Sequence, residues 1–385
     1  MNAAIYKNNR QKLIKSLPDA SMIIIVGNGL IQRSGDTAFW FKQESSMLYF
    51  TGCNVPSSYL LIDCIKNKSY IVLPNRTRFE ILFDDSENII ELASSSGVDG
   101  VIFHKEALQI IKNIKIKEKL YANVESPVKQ YGVFSNPFKT QIKQLFKRYG
   151  IKYYNVLPAV ADLRVIKQNY EVKAIKKAIS LTHSAIKSSL PKIGQSEKDV
   201  ADVISANFFT NHVNHGYEPI VAFNKNAAIL HHSPSSDVIY AKSNSVLLDV
   251  GAEYCGYSAD ISRTFASDNK TALIVDSVTN VQQQLISWLK PGKSWQQFHK
   301  LAVKLLEEQA LKLDLISKKE PISLLFPHAI GHFLGLDVHD IGDYKKPLSE
   351  NMVITVEPGL YSKKQGFGVR IEDDVLITKN GAVVL

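Results

Sequence analysis

A chain of 385 residues, 45% hydrophobic and 22% charged, is long enough for two ordinary domains with a sizeable core and has the composition of a globular protein. No run approaches the roughly 18 apolar residues of a membrane span, and MNAAIYKNNRQKLIKSL lacks the apolar segment of a secretory signal, so neither membrane nor secreted classes are expected. The net charge of +9, with 46 Lys and Arg against 37 Asp and Glu, is not accompanied by an RNP, helix-turn-helix or zinc-finger pattern, so no nucleic-acid partner is expected.

In chain order the first half reads as α/β. SMIIIVG (21–27) is a short apolar run suited to a buried strand, and SSYLLIDCIKNKSYIVLP (57–74) predicts two strands around a KNKS turn. Lysines crowd residues 105–152, as in KNIKIKEK and KTQIKQLFKR, and read as solvated faces. KTQIKQLFKRYG (139–150) predicts an amphipathic helix stopped by glycine, followed by the strand-like IKYYNV. At LPAVADLR the pattern changes, and the boundary is drawn between 156 and 157. An α/β domain (1–156) thus precedes a second domain (157–385), giving an α+β chain overall.

The second domain opens with long helices. Over residues 170–190, Val172, Ile175, Ile179 and Ile186 keep helical spacing, and Pro191 is the expected stop. SEKD at 196 predicts a capping box before a helix with Val200, Val203, Ile204 and Phe208 on one face. SWQQ at 294 is a second capping box, after a KPG turn and before the amphipathic FHKLAVKLLEEQALKL. Cys53, Cys64 and Cys255 lack CxxC spacing, which predicts free thiols, a reducing cytoplasm and no thiolate metal site.

Strands between and after these helices carry the unusual polar residues. DVGAEYCGYSAD (249–260) follows the apolar VLL. With Tyr254 and Cys255 as a two-residue turn, Asp249 would face Asp260. Directly opposed like charges destabilise a hairpin, and a buried unpaired carboxylate costs several kcal/mol or neutralises, so a cation would belong between them. A longer turn, a different register and both aspartates in water form the alternative. FPHAIGHFLGLDVHD (326–340) sets His328, His332 and His339 among apolar residues and glycine, without the glutamate of an HExxH zinc helix. In MVITVEPGLY (352–361) Glu357 ends an apolar run, and in GVRIEDDVLI (368–377) alternation puts Arg370, Glu372 and Asp374 on one face.

Singly, these are a core histidine, a strand end and an acidic rim. If they converge, Asp249, Asp260, Glu357 and Glu372 bring four negative charges and one histidine adds a nitrogen. Two divalent ions would offset that repulsion, and an oxygen-rich set with one imidazole suits Mn or Co better than a thiolate-seeking metal. Two such ions about 3.5–4 Å apart lower the pKa of a bridging water and polarise a carbonyl, which is the equipment for hydrolysing an amide.

LLDVGAEYCGYSADISRTF, HAIGHFLGLDVHD, TVEPGLY and VRIEDD, in this order, resemble the signatures of the pita-bread proline-specific metallopeptidases, aminopeptidase P and prolidase. The likeness covers about 160–385 and extends more weakly to FKQESSMLYFTG (41–52). It implies a C-terminal pita-bread catalytic domain of the creatinase/aminopeptidase type after a smaller creatinase-like N-terminal domain. It implies that Asp249, Asp260, His332, Glu357 and Glu372 hold two divalent metal ions, Mn2+ first and Co2+ or Zn2+ as alternatives, with Asp260 and Glu372 bridging. Glu357 would also shuttle a proton, and His231, in AAILHHS, would lie near the substrate and the developing oxyanion. His328 and His339 would contact substrate in the same pocket, and Arg370 would support the ligand carboxylates. His232 stands where the family often has tyrosine.

The activity so implied is a Xaa-Pro aminopeptidase, cutting between an N-terminal residue and a following proline by means of a metal-activated hydroxide. Prolidase, the runner-up, must bind the free carboxylate of a Xaa-Pro dipeptide. The arginine that the family often carries upstream of Glu357 for substrate recognition is absent from DYKKPLSEN, where only Lys345 and Lys346 offer a charge. A non-catalytic pita-bread binding module would have lost ligands, and all five residues are present; methionine aminopeptidase lacks the extra N-terminal domain. The expected partners are proline-containing peptides and further copies of the chain, as a dimer or tetramer, with no membrane contact.

Overall fold

The computed structural model describes residues 2–84, 87–113, 118–125, 136–190, 192–239, 245–266 and 268–385. The chain divides into two units, Met1–Leu163 and Arg164–Leu385. The boundary expected at 156/157 falls at the start of the helix Leu157–Arg164, and the units part at its end.

In the first unit six strands form one mixed sheet, in the order Gly100–Phe103, Lys68–Leu73, Tyr59–Asp63, Ala20–Val26, Lys119–Ala122, Tyr154–Asn155. The run Met22 to Val26 is buried throughout, which is what a central strand covered on both faces requires. Met22, Ile24 and Val26 pack with Leu61, Val72 and Leu120 under the helices His104–Lys112 and Pro137–Arg148, through Ile111, Phe138 and Phe146. Arg10 is buried at the C-terminal ends of two other helices, Ser45–Thr51 and Ile89–Ser96, donating to the carbonyls of Phe50 (2.7 Å), Ser96 (3.0 Å) and Gly97. A cation there meets carbonyls that no helical N–H can satisfy. The turn expected at KNKS lies at 64–67 instead, because Asp63 pairs with Lys68; Asn67 takes the left-handed conformation (φ 51°) that asparagine tolerates. Lys115, Lys117 and the expected stop at Pro191 lie outside the described residues.

The second unit carries the helices Asn169–Ser188, Glu197–Thr210, Asn269–Trp288 and Trp295–Lys312. Both expected capping boxes form, Ser196 with Asp199 and Ser294 with Gln297. The strands Ile220–Phe223, Ser245–Val250 and Ile261–Ala266 make one antiparallel sheet, and Val353–Val356, Asp373–Thr378 and Gly381–Val384 another. Ile274, Val278, Leu285, Phe298 and Leu306 of the long helices pack on Ile354, Val356, Val375 and Ile377.

Two expectations of register change. The hairpin closes at Tyr254 opposite Tyr257, so the turn is Cys255–Gly256, both at positive φ (52° and 84°), as a tight two-residue turn demands and glycine permits. Asp249 consequently faces Ser262 and not Asp260. A shift of two residues leaves every side chain on its original face, so the aspartates still converge. The second concerns GVRIEDDVLI, which is no single strand: Phe367–Arg370 and Asp373–Thr378 lie in different sheets with Ile371 and Glu372 between them.

Candidate metal centre

Asp249 lies near the end of the Ser245–Val250 strand, and Asp260 immediately precedes Ile261–Ala266. The Tyr217 hydroxyl stands 2.6 Å from one oxygen of each. Between them Gly251 leaves the space this needs, since a Cβ there would overlap the Ala259 carbonyl oxygen and the Tyr217 ring. His332 is on a loop fixed to the Val353–Val356 strand: its N–H donates to the Thr355 hydroxyl (3.0 Å) and its carbonyl accepts from Thr355 N–H (2.9 Å). At the preceding Gly331 a Cβ would overlap the Thr355 carbonyl, so only glycine allows this approach. Nδ1 of His332 donates to the Phe333 carbonyl (3.1 Å), which turns Nε2 toward Asp260 Oδ2 (3.4 Å) and Glu357 Oε1 (3.6 Å). Asp260, His332 and Glu372 each offer a ligand atom, all within 4.8 Å of one another.

Arg370 is buried behind the carboxylates. It pairs with Asp249 and donates to the hydroxyls of Ser262 (2.8 Å) and Tyr361 (3.1 Å), with Glu372 at 3.9 Å. Ser262 in turn donates to Glu372 at 2.7 Å. Asp374 accepts from Asp260 N–H (3.0 Å), and Arg263 donates to the Glu372 carbonyl (2.6 Å) while pairing with Asp373 at 2.5 Å.

The charges do not balance within the protein. Burial pushes Glu357 up to about 7 and Glu372 well above the carboxylate range, and burial also raises Asp249 despite Arg370. Burial opposes the charge of Asp260 as well, but hydrogen bonding to His332 and Tyr217 brings it below the ordinary value. His332 is pushed down by burial and then raised to about 9 by Asp260 and Glu357. A group of buried carboxylates that retains protons in this way is one that divalent cations would relieve. The donor set is oxygen-rich with a single imidazole and no thiolate, so the residues fit hard or borderline divalent ions.

The remaining expected residues lie around this cluster. His328 contacts Tyr361 through Nε2 (3.0 Å) and the Ala329 carbonyl through Nδ1 (2.7 Å), with Nδ1 also 3.4 Å from Glu357. Burial and the Arg370 charge push it down to about 3. His339 sets its ring edge-on to His332 at 4.3 Å between centroids, and burial with the His332 charge lowers it to about 4. His231 is exposed on the loop after the 3-10 helix Asn224–Ala228, close enough for its charge to act on both His328 and His339. His232 points elsewhere, to Glu197 at 2.7 Å. Lys345 and Lys346 are exposed.

Tyr217, Ser262, Thr355 and Tyr361 were not among the expected residues. For Ser262 a signal exists: Asp260, Ser262 and Thr264 share the face of a strand that begins just after Asp260, and Thr264 both accepts from Arg370 N–H and donates to its carbonyl, each at 3.0 Å. Tyr217, in HGYEP, has no such pattern around it.

Buried carboxylates and one imidazole on an α+β unit that follows an α/β unit in the chain are the equipment of a metal-dependent hydrolase. Comparison with known proteins narrows the class: residues 173–379 match the model of metallopeptidase family M24, and residues 6–121 that of the aminopeptidase P N-terminal domain. The chain belongs to metallopeptidase family M24, with a pita-bread catalytic domain and an aminopeptidase P N-terminal domain. It is 30% identical to a Botryotinia fuckeliana protein named "Probable Xaa-Pro aminopeptidase", the match covering 90% of this chain and 84% of that one. It is 27% identical to the Arabidopsis thaliana protein "Intermediate cleaving peptidase 55, mitochondrial", over 99% of this chain and 79% of the relative. A solved Bacillus anthracis structure provisionally assigned as aminopeptidase P superposes with a TM-score of 0.91 at 28% identity, covering 100% of this chain and 94% of that one.

Proposed function

We propose that this chain is a Xaa-Pro aminopeptidase, removing an N-terminal residue that precedes proline. The observation that carries the reading is the meeting of Asp260, His332 and Glu372 within 4.8 Å, with Asp249 and Glu357 beside them, in a chain of the M24 family. These five residues would hold two divalent ions, Mn2+ first by donor type with Co2+ or Zn2+ as alternatives. Bound there, the ions supply Lewis acidity toward a carbonyl and make water acidic enough to ionise near neutral pH.

The chain's own residues do the rest. Arg370, fixed by Ser262 and Tyr361, holds Asp249 and Glu372 in place. Glu357 is placed to take a proton from the attacking water and deliver it to the leaving nitrogen. His328 and His339 are neutral at that pH, and with His231 they line the place where the substrate carbonyl develops negative charge. The bond before proline is a tertiary amide without N–H, so a site whose ground-state hydrogen bonds go to the carbonyl, with no acceptor waiting for an amide N–H, leaves nothing unsatisfied.

The test compares Xaa-Pro-Yaa tripeptides with Xaa-Pro dipeptides, before and after a chelator and with Mn2+ restored. Tripeptide hydrolysis lost on chelation and regained with Mn2+ is expected; preference for dipeptides, or activity indifferent to chelation, would overturn the reading. Among the described residues no helix is long and apolar enough to cross a membrane, and the three cysteines are unpaired, which supports a reducing compartment such as the cytoplasm. Trp40, Leu82 and Ile90 of the first unit are at least 80% exposed, which supports a homo-oligomer, and light scattering would report its size.

A further inference from the structure

Glu197 is a fully buried charge outside the cluster just described, at the first position of the helix Glu197–Thr210. An acidic residue in a first helical turn ordinarily faces water; one with no exposure needs partners. Its carboxylate accepts five hydrogen bonds. Oε1 takes Phe223 N–H (2.7 Å) and the Asn226 amide (2.9 Å). Oε2 takes Ser235 N–H (2.8 Å), the Ser235 hydroxyl (2.6 Å) and His232 Nε2 (2.7 Å). All these donors belong to one loop, entered at Phe223 and left at Ser235, and His231 lies on it. The loop also packs against the strand that carries Arg370: at Gly368 a Cβ would overlap the Ala227 carbonyl. The loop is therefore held at two places, by one carboxylate and by a backbone contact to the strand of Arg370.

We propose that Glu197 is a positioning residue for the reaction, holding the loop through His232 and Ser235 so that His231 meets the substrate carbonyl. The inference rests on His231 acting at that carbonyl. It also gives a reason for histidine at 232, whose Nε2–H is the donor that reaches the carboxylate.

A double-mutant cycle on the full-length, metal-loaded protein tests this, with kcat and KM on a Xaa-Pro-Yaa tripeptide and with metal content and thermal midpoint as controls. Glu197→Gln keeps the volume but cannot accept all five bonds; it is expected to lower kcat by roughly 10- to 100-fold with KM and metal content little changed. Because Glu197 acts through His231, Glu197→Gln combined with His231→Ala should be no slower than His231→Ala alone. Should Glu197→Gln not fold, His232→Phe carries the same expectation, and His232→Gln, whose amide can donate, should restore part of the loss. Additive losses in the double mutant, or an unchanged kcat with lowered stability, would overturn the positioning role while leaving His231's role standing. An unchanged kcat in His231→Ala would overturn both.

Discussion

At Arg370 one buried guanidinium pairs with Asp249 and donates to Ser262 and Tyr361. Removing one partner of a buried pair leaves the other charge uncompensated, so Arg370→Met should destabilise the chelated protein by about 3–5 kcal/mol, read from denaturant unfolding. Part of that loss should return on adding divalent metal. Proton and metal compete for the same atoms, which gives the site a pH signature. His332 has a folded pKa of about 9 against 6.5, so in the chelated protein its contribution to stability is complete below 6.5 and lost as pH rises through 9. Glu357, raised from 4.5 to about 7, has the same sign, its contribution fading as pH rises through 7. His328 and His339 have depressed values, about 3 and 4, and their effect is exhausted above 6.5. Between pH 6.5 and 9 the gain in melting temperature on adding metal should therefore grow; a gain that shrinks across that window would contradict the assignment of these residues as ligands.

The loop carrying His332 and the strand carrying Thr355 approach one another only because residue 331 is glycine. Gly331→Ala must push backbone against backbone, so a loss of about 1–3 kcal/mol is expected, together with weaker metal retention because His332 is the next residue. Normal metal content at wild-type stability would show that the contact yields. The same element explains what the sequence could reveal. Buried strands, helix spacing and capping boxes are local patterns, and Ala20–Val26, Glu197–Thr210 and Trp295–Lys312 were legible from them. The hairpin register was not, because Tyr254–Cys255 and Cys255–Gly256 are both acceptable two-residue turns, and positive φ at two successive positions chose the one with glycine second. Period-two geometry kept the aspartates on one face despite that slip. Glu372 converges from a break between strands, a tertiary fact that alternation along VRIEDD reached by a different route. Tyr217 meets both aspartates across more than thirty residues of chain, a distance no local pattern spans.

Over the whole molecule the basic excess is not wholly solvated: Lys139, in the stretch expected to be a solvated face, is buried and pairs with Glu44 at 3.0 Å, and Arg10 and Arg370 are buried as well. Lys119 with Asp19 and Lys143 with Glu125 are exposed, solvent-screened pairs of the first unit, and they bear on solubility more than on chemistry. The chain parts into two units at the far end of the helix that begins at Leu157, where the change of pattern was read, and the family models match segments in both units. What unites the second unit is charge: sheets and loops from residues 217 to 374 bring carboxylates into a space that their protons or bound cations must neutralise. Metal analysis of purified wild-type protein and Asp260→Ala, with tripeptide hydrolysis measured on the same samples, tests this most directly. Wild type should hold about two divalent ions per chain, and Asp260→Ala should hold fewer and lose nearly all activity while keeping its circular-dichroism spectrum. A fully loaded, active Asp260→Ala would contradict a metal centre at these carboxylates.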